Sequence, residues 1–247
     1  MRSFFAHILE LIFPKSCLGC GRGGVLVCGN CLRQIKFLER QQCPHCRKVT
    51  ETGRFCSERC GKNYHFDQLV VCLNYFANPL ARKMIWKFKY NFIENLSFVL
   101  AMIMKAQIVL QNQKVESLSK ALIVPVPSHK KRVSFRGFDQ IKSLTGKLIE
   151  SLKSDAQVRE KFKKLEICDC LLRTKFKKEQ ARLTKSERIK NLECAIELKE
   201  VMLNMVGGKF ILLIDDVAAT CSTLNECAKV LKKAGARYVC AMVLARN

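Results

Sequence analysis

The sequence predicts an α/β fold, in which a mostly parallel sheet is flanked by helices and is preceded by a small cysteine-rich module. The composition changes near residue 66, because eight of the fifteen cysteines lie before it. From residue 67 onward, short apolar runs alternate with segments of helical spacing, which is typical of parallel strands joined by helices. With 49% apolar residues, a chain of 247 residues can hold one large domain and one small module. We therefore divide it into residues 1–66 and residues 67–247.

Each element of the second domain has its own signal in the sequence. Pro79 suits the first turn of a helix, Gly235 suits the end of another, and the unbroken apolar run at 210–215 is typical of a buried strand. Thr223 and Glu226 have the spacing of a capping box. The predicted strands are residues 69–76, 121–127, 168–173, 210–215 and 238–245, and the predicted helices are residues 79–90, 94–110, 137–152 and 223–234.

The cysteine-rich module carries its cysteines in closely spaced pairs. Two pairs with CxxC or CxxxC spacing supply the four thiolates of a tetrahedral zinc site. In sequential order the eight cysteines fill two such sites, while interleaved pairing or a single filled site remains open, so we expect one or two structural zinc ions. The eight residues are Cys17, Cys20, Cys28, Cys31, Cys43, Cys46, Cys56 and Cys60.

The N-terminal residues decide the expected compartment. They lack the cleavage site of a secretory signal, so we expect a reducing, cytoplasmic environment with thiols rather than disulfides. Five apolar residues nevertheless share one helical face, which either packs on the protein itself or lies peripherally on the inner membrane. They are Phe4, Phe5, Ile8, Leu9 and Ile12.

The net charge of +23 indicates an anionic partner. Nucleic acid, a phosphorylated small molecule and an anionic lipid surface all satisfy this requirement. Aromatic residues such as Phe135, Phe138 and Phe176 lie within basic stretches, a combination that suits single-stranded DNA. A merely solvated basic face is the alternative interpretation of the same charge.

Two carboxylates, Asp215 and Asp216, follow the buried apolar run directly. In a parallel α/β sheet, ligands bind beyond the carboxyl ends of the strands. Adjacent carboxylates can accept hydrogen bonds from both hydroxyls of a ribose, and one of them can face a magnesium-bound pyrophosphate. The small and hydroxyl-bearing residues that follow open a helix, whose N-terminal amides favour a phosphate. We therefore expect a phosphorylated sugar at this place, with an ordinary acidic strand end as the alternative.

The same residues carry a resemblance to a known family. ILLIDDVAATCSTL resembles the ribose-phosphate signature of type I phosphoribosyltransferases. It is preceded by YFANPLARKMIWKFKY, LIVPVPSHKKRVSFRGFDQ and LLRTKFKKEQARLTKSERIKN, and together these motifs resemble the ComF family over nearly the whole chain. The resemblance implies a type I phosphoribosyltransferase-like fold behind an N-terminal zinc ribbon, and a role in DNA uptake during natural transformation.

The resemblance also implies roles for individual residues. Asp215 and Asp216 would be the catalytic pair and would hold ribose hydroxyls. The next loop would cradle the 5′-phosphate, through Ala219, Thr220, Cys221, Ser222 and Thr223. Pyrophosphate or nucleic acid would meet one further loop and a flexible hood, through Ser128, His129, Lys130, Lys131, Arg132, Arg136, Lys175, Lys178, Arg182 and Arg188.

The phosphate loop departs from the family pattern. Ala218, Ala219 and Cys221 stand where Ile, Thr and Gly are usual. Ala219 removes a hydroxyl, and Cys221 adds a side chain where glycine lets the backbone approach a phosphate. We therefore expect weakened or altered phosphate binding.

Three functions are compatible with these residues. The first is a competence protein that handles incoming single-stranded DNA on a scaffold recognising phosphoribosyl groups, with a membrane surface or the DNA-uptake machinery as further partners. The second is an active phosphoribosyltransferase that uses phosphoribosyl pyrophosphate, magnesium and an unknown acceptor. The third is a zinc-ribbon module that docks a protein. No motif indicates the acceptor, so the sequence leaves open whether a transfer reaction occurs.

Overall fold

The computed structural model of the protein describes residues 16–90, 93–112, 116–174 and 196–246. The predicted helical face at residues 4–13 lies outside this part of the chain, as do the predicted hood residues Lys175, Lys178, Arg182 and Arg188. Among the described residues, every helix is too short or too polar to span a bilayer.

The cysteine-rich module has only short regular elements. They are helix α1 (Gly29–Arg33), strands β1 (Gln41–Gln42) and β2 (Val49–Thr50), and helix α2 (Glu58–Gly61). β1 and β2 pair antiparallel. Elements of this size bury little apolar surface, so the module needs another source of stability.

A parallel sheet organises the rest of the described chain. The strands are β3 (Gln68–Asn74), β4 (Leu122–Pro125), β5 (Glu166–Ile167), β6 (Leu171–Arg173), β7 (Ile196–Leu198), β8 (Phe210–Ala218) and β9 (Tyr238–Arg246). Five of them form one sheet in the order β3-β9-β8-β4-β5, and every neighbouring pair in it is parallel. The predicted α/β class is therefore confirmed.

Helices cover both faces of this sheet. They are α3 (Pro79–Tyr90), α4 (Leu96–Asn112), α5 (Lys130–Arg136), α6 (Gln140–Ser154), α7 (Arg159–Phe162), α8 (Leu203–Val206) and α9 (Ser222–Lys233). Leu212 and Ile214 of β8 face the core that α3, α4 and α6 complete, whereas Ile211 and Leu213 face the core that α9 completes. This alternation follows from the two-residue period of a strand and gives β8 its unbroken apolar run.

The predicted strand at residues 168–173 is partly wrong. Only its second half forms β6, which pairs antiparallel with β7 outside the main sheet. The fifth place in the sheet belongs to β5, whose two residues are both exposed. An edge strand of two residues has no apolar pattern in the sequence. β5 is therefore defined by its pairing with β4 and not by local sequence.

The segment after β4, predicted as a loop, contains helix α5. The His129 side chain caps this helix by accepting the Lys131 amide at 3.1 Å, and Gly137 ends it with a φ of +78°. The next helix, α6, therefore begins at Gln140 rather than at residue 137, with Asp139 as its N-cap.

The division at residue 66 stays a prediction. Phe66 itself is buried in the core beneath α9, and Tyr64 and Phe55 pack beside it. The module and the sheet thus share apolar contacts.

Candidate functional site

The eight module cysteines form two groups of four thiols. Within each group, Cys17, Cys20, Cys28 and Cys31 or Cys43, Cys46, Cys56 and Cys60, all sulfur atoms lie within 4.8 Å of one another. A tetrahedral zinc with Zn–S bonds of about 2.3 Å has sulfur–sulfur edges of about 3.8 Å. The Sγ atoms of Cys20 and Cys28 are 3.7 Å apart, so the residues fit a structural zinc, and the pairing is sequential.

The two cysteine groups attach to opposite sides of the sheet. On the first side, Lys83 of α3 donates to the Leu18 carbonyl at 2.9 Å, and Leu18 packs on the core that α3 shares. On the second side, the Asn225 side chain of α9 accepts the His65 amide at 2.6 Å and donates to the Asn63 carbonyl at 3.2 Å. The second group is therefore tied to the helix that follows the acidic pair.

The acidic pair lies within β8 rather than at its end. β8 continues to Ala218, because its pairing with β9 extends to Ala218 opposite Arg246. Asp216 is buried, and its carboxylate lies 3.0 Å from the ammonium of Lys89. Burial lowers the pKa of Lys89, but the charges of Asp216 and Asp215 outweigh it, so the pKa stands above its ordinary value. Lys89 and Asp216 therefore form a largely buried ion pair.

The Asp215 carboxyl group titrates near neutral pH. Burial, and then the charge of Asp216, raises its pKa to about 7. Its Oδ1 accepts the Asp216 amide at 2.8 Å. Asp215 can therefore gain or lose a proton near neutral pH.

The loop between β8 and α9 leads into a helix whose Ser222 amide donates to the Thr220 hydroxyl at 3.5 Å. The predicted capping box is wrong, because α9 begins at Ser222 and its N-cap is Cys221, which makes no side-chain cap. Ala219 and Thr220 are exposed, and the Thr220 hydroxyl lies 3.0 Å from the Ser222 hydroxyl. The amides of the first helical turn and the positive end of the helix dipole favour an anion here.

Cys221 occupies a conformation that favours glycine. Its φ is +60°, which costs a residue with a Cβ about 1–2 kcal/mol. The side chain is 3% exposed and belongs to the apolar core beneath α9. Burial raises the pKa of its thiol, and the charges of Arg246 and Arg47 oppose that rise. The thiol therefore points into this core and away from the loop between β8 and α9.

A cavity of about 550 Å³ lies beside the acidic pair. Four cationic side chains line it, namely Lys89, Arg132, Arg136 and Arg173. Burial, and then the charge of Arg132, lowers the pKa of both Arg136 and Arg173. An anion that enters the cavity offsets the mutual repulsion of these crowded guanidinium groups. Their arrangement therefore favours the binding of an anion.

Comparisons with known proteins agree with the two-part architecture. Residues 8–61 match the double zinc ribbon domain family. Over 243 residues, the chain is 26% identical to competence protein F of Haemophilus influenzae, and the match covers 95% of this chain and 98% of that protein. The chain is ComF-like. It combines a double zinc ribbon with a parallel sheet flanked by helices.

The ComF-like structure brings many of the predicted site residues together. The lining of the cavity includes Asp215, Asp216, Thr223, Ser128, Arg132 and Arg136. Ala219, Thr220 and Ser222 lie in the adjoining loop, and Cys221 lies beneath it. His129, Lys130 and Lys131 form the start of α5 and do not line the cavity.

Lys89 is a residue of the candidate site that sequence reasoning missed. It lies on α3 in line with the buried residues Ala81 and Ile85, at four-residue intervals. A lysine on the buried stripe of a helix signals a buried partner. That signal was available, although nothing local identifies Asp216 as the partner.

Proposed function

We propose that this ComF-like protein acts in natural transformation, where it handles incoming single-stranded DNA through a pocket that recognises phosphorylated sugars. The name of its relative, competence protein F, supports the biological role. The observation that carries the chemistry is a single cavity holding two carboxylates and four cations, next to the N-terminus of α9.

Each part of the cavity suits one part of a phosphorylated sugar. The amides at the start of α9 would receive a phosphate, with Thr223 beside them. Asp216, which pairs with Lys89, would accept a hydrogen bond from a hydroxyl of the sugar. Arg132, Arg136 and Arg173 would receive the next phosphate group, since a guanidinium matches phosphate oxygens two at a time.

An active phosphoribosyltransferase is the second candidate function. It is favoured by the burial of the Cys221 thiol, which points away from the proposed phosphate site. It is also favoured by the near-neutral pKa of Asp215, which suits a proton transfer. Asp215 and Asp216 would then be the catalytic pair, and magnesium would bind with the pyrophosphate. This candidate requires an acceptor, and no motif in the sequence indicates which.

The experiment measures binding to the zinc-loaded full chain. Phosphoribosyl pyrophosphate and a labelled single-stranded oligonucleotide are titrated separately and then in competition. We expect the sugar phosphate to displace DNA, and we expect the Asp215→Ala/Asp216→Ala variant to bind the sugar phosphate at least about tenfold more weakly. Pyrophosphate release in the presence of magnesium and candidate acceptors would identify the transferase.

A matched control removes the same charge elsewhere. Glu150→Ala/Glu160→Ala deletes two exposed carboxylates outside the cavity and should leave sugar-phosphate affinity unchanged. Because the double aspartate variant leaves Lys89 unpaired, Asp215→Asn serves as a gentler second variant. If both site variants fold and bind like the wild type, the proposed pocket is wrong.

A further inference from the structure

Three large exposed aromatic side chains lie on α3 and α5, the two helices that border the cavity. Trp86 is 54% exposed, Tyr90 56% and Phe135 78%, and we call this group the aromatic ledge. Trp86 and Tyr90 are one helical turn apart on α3, with ring centroids separated by 5.8 Å. Tyr90 and Phe135 also line the cavity. The ledge therefore begins inside the proposed phosphate pocket and continues outward along α3.

The fold of α3 does not require the ledge. The helix is held by Ala81, Met84, Ile85 and Phe88, which are all buried. Single exposed apolar residues are normal on protein surfaces. Two exposed rings that line one pocket, with a third ring 5.8 Å from one of them, form a patch, and such a patch indicates an interaction site.

The charge of the two helices that carry the ledge indicates the occupant. α3 carries four basic residues and no acidic residue, and α5 likewise carries four and none. The eight are Arg82, Lys83, Lys87, Lys89, Lys130, Lys131, Arg132 and Arg136. Cations alone would suit a duplex or a lipid surface, whereas cations interleaved with exposed rings suit unpaired bases.

We propose that the aromatic ledge stacks the bases of single-stranded DNA while the adjacent cavity receives its phosphates. This inference rests on the proposed function and assigns it a binding surface. Tyr90 and Phe135 would contact the base nearest the pocket, and Trp86 the next base along α3. Every base has a π face, so binding is tolerant of sequence.

Trp86 also supplies the measurement, because it is the single tryptophan of the chain. Titration with a thymidine oligonucleotide should quench its fluorescence and should saturate at the same dissociation constant that anisotropy of a labelled strand gives. An abasic oligonucleotide of equal length carries the phosphates without the bases. It should bind more weakly and leave the fluorescence nearly unchanged.

Substitutions test the ledge by anisotropy. Trp86→Leu and Tyr90→Ala should each weaken DNA binding about five- to hundredfold, the loss expected for one stacked base, and Trp86→Phe should recover part of it. Phe98→Ala is the matched control, since Phe98 is also 54% exposed but lies on α4 and does not line the cavity. It should bind DNA like the wild type.

The outcomes separate this inference from the proposed function. Unchanged DNA affinity in Trp86→Leu, together with intact binding of phosphoribosyl pyrophosphate, would overturn the ledge and leave the pocket standing. Loss of sugar-phosphate binding in the wild type would instead refute the pocket. Quenching by anionic phosphatidylglycerol vesicles but not by the oligonucleotide would overturn the ledge as a DNA surface.

Discussion

The cysteine-rich module and the α/β domain are stabilised in different ways. Among the described residues before Phe66, the buried apolar residues are Cys17, Cys31, Ile35, Cys43 and Pro44, three of which belong to the metal-binding groups. In the domain, by contrast, every residue of β9 except its two ends is buried. The module thus depends on metal, and the domain on apolar burial. The acidic pocket lies in the α/β domain. The helix that follows the acidic pair, α9, is nevertheless bonded to the cysteine-rich module.

Removing the second metal site should have the largest effect. The Cys43→Ser/Cys46→Ser variant loses zinc binding that contributes on the order of 10 kcal/mol in small zinc modules. We expect amide hydrogen exchange to show residues 41–61 unprotected while β8 and β9 stay protected, and zinc content to fall by half.

The control for that variant is Cys227→Ala, which removes a buried thiol of α9 that belongs to neither cysteine group. It should retain full zinc content. Cooperative unfolding of the sheet on zinc loss would contradict the separation between module and domain.

Lys89→Met should destabilise the domain itself. The substitution leaves the buried Asp216 carboxylate without its ion pair, a change that costs about 3–5 kcal/mol. Urea denaturation should show this loss, and adding Asp216→Asn should restore much of it. Lys163→Met breaks an exposed pair with Glu160 and should change stability by less than about 0.5 kcal/mol. Equal effects of the two lysine substitutions would show that Asp216 is solvated.

The Asp215→Asn substitution should change how stability depends on pH. The folded pKa is about 7, above the ordinary value of 3.8, so between these values the folded state holds a proton that the unfolded state has released. The free energy of unfolding therefore falls as the pH rises from about 4 to about 7. The fall is about 1.4 kcal/mol for each pH unit between the two pKa values.

An asparagine side chain cannot titrate, so the variant should lose this slope and exceed the wild type in stability at pH 8 but not at pH 4. Unfolding free energies measured across this range check the prediction. Parallel pH profiles for the two proteins would mean that Asp215 is ionised throughout.

The seam between module and domain should give the smallest effect. Asn225→Ala removes two hydrogen bonds to residues 63 and 65, and we expect a loss of about 1 kcal/mol together with faster amide exchange in residues 56–65. Lys229→Ala on the same helix is the comparison and should leave that exchange unchanged. No change in either variant would show that the module does not depend on α9 for its position.

The sequence predicted those elements whose pattern is local. α3 matches its predicted range, and β8 and β9 were visible as apolar runs. β5 could not be predicted, because pairing with β4 alone defines it. α5 was missed because its basic sequence has no apolar stripe and follows a proline-rich strand.

The candidate site was predictable to a similar extent. The two carboxylates at 215 and 216 indicated a site that accepts hydrogen bonds from the hydroxyls of a ligand. The cysteine spacings indicated the two metal sites that the structure assembles. The Lys89–Asp216 pair spans most of the domain in sequence, so no local pattern contains it. The backbone conformation of Cys221, which turns its thiol into the core, is likewise set by packing around α9.

A structure of the zinc-loaded protein with phosphoribosyl pyrophosphate tests the central claim most directly. We expect the 5′-phosphate at the amides that open α9, the sugar hydroxyls facing Asp215 and Asp216, and the pyrophosphate among Arg132, Arg136 and Arg173. A ligand bound elsewhere, or a cavity closed by the protein's own side chains, would contradict it.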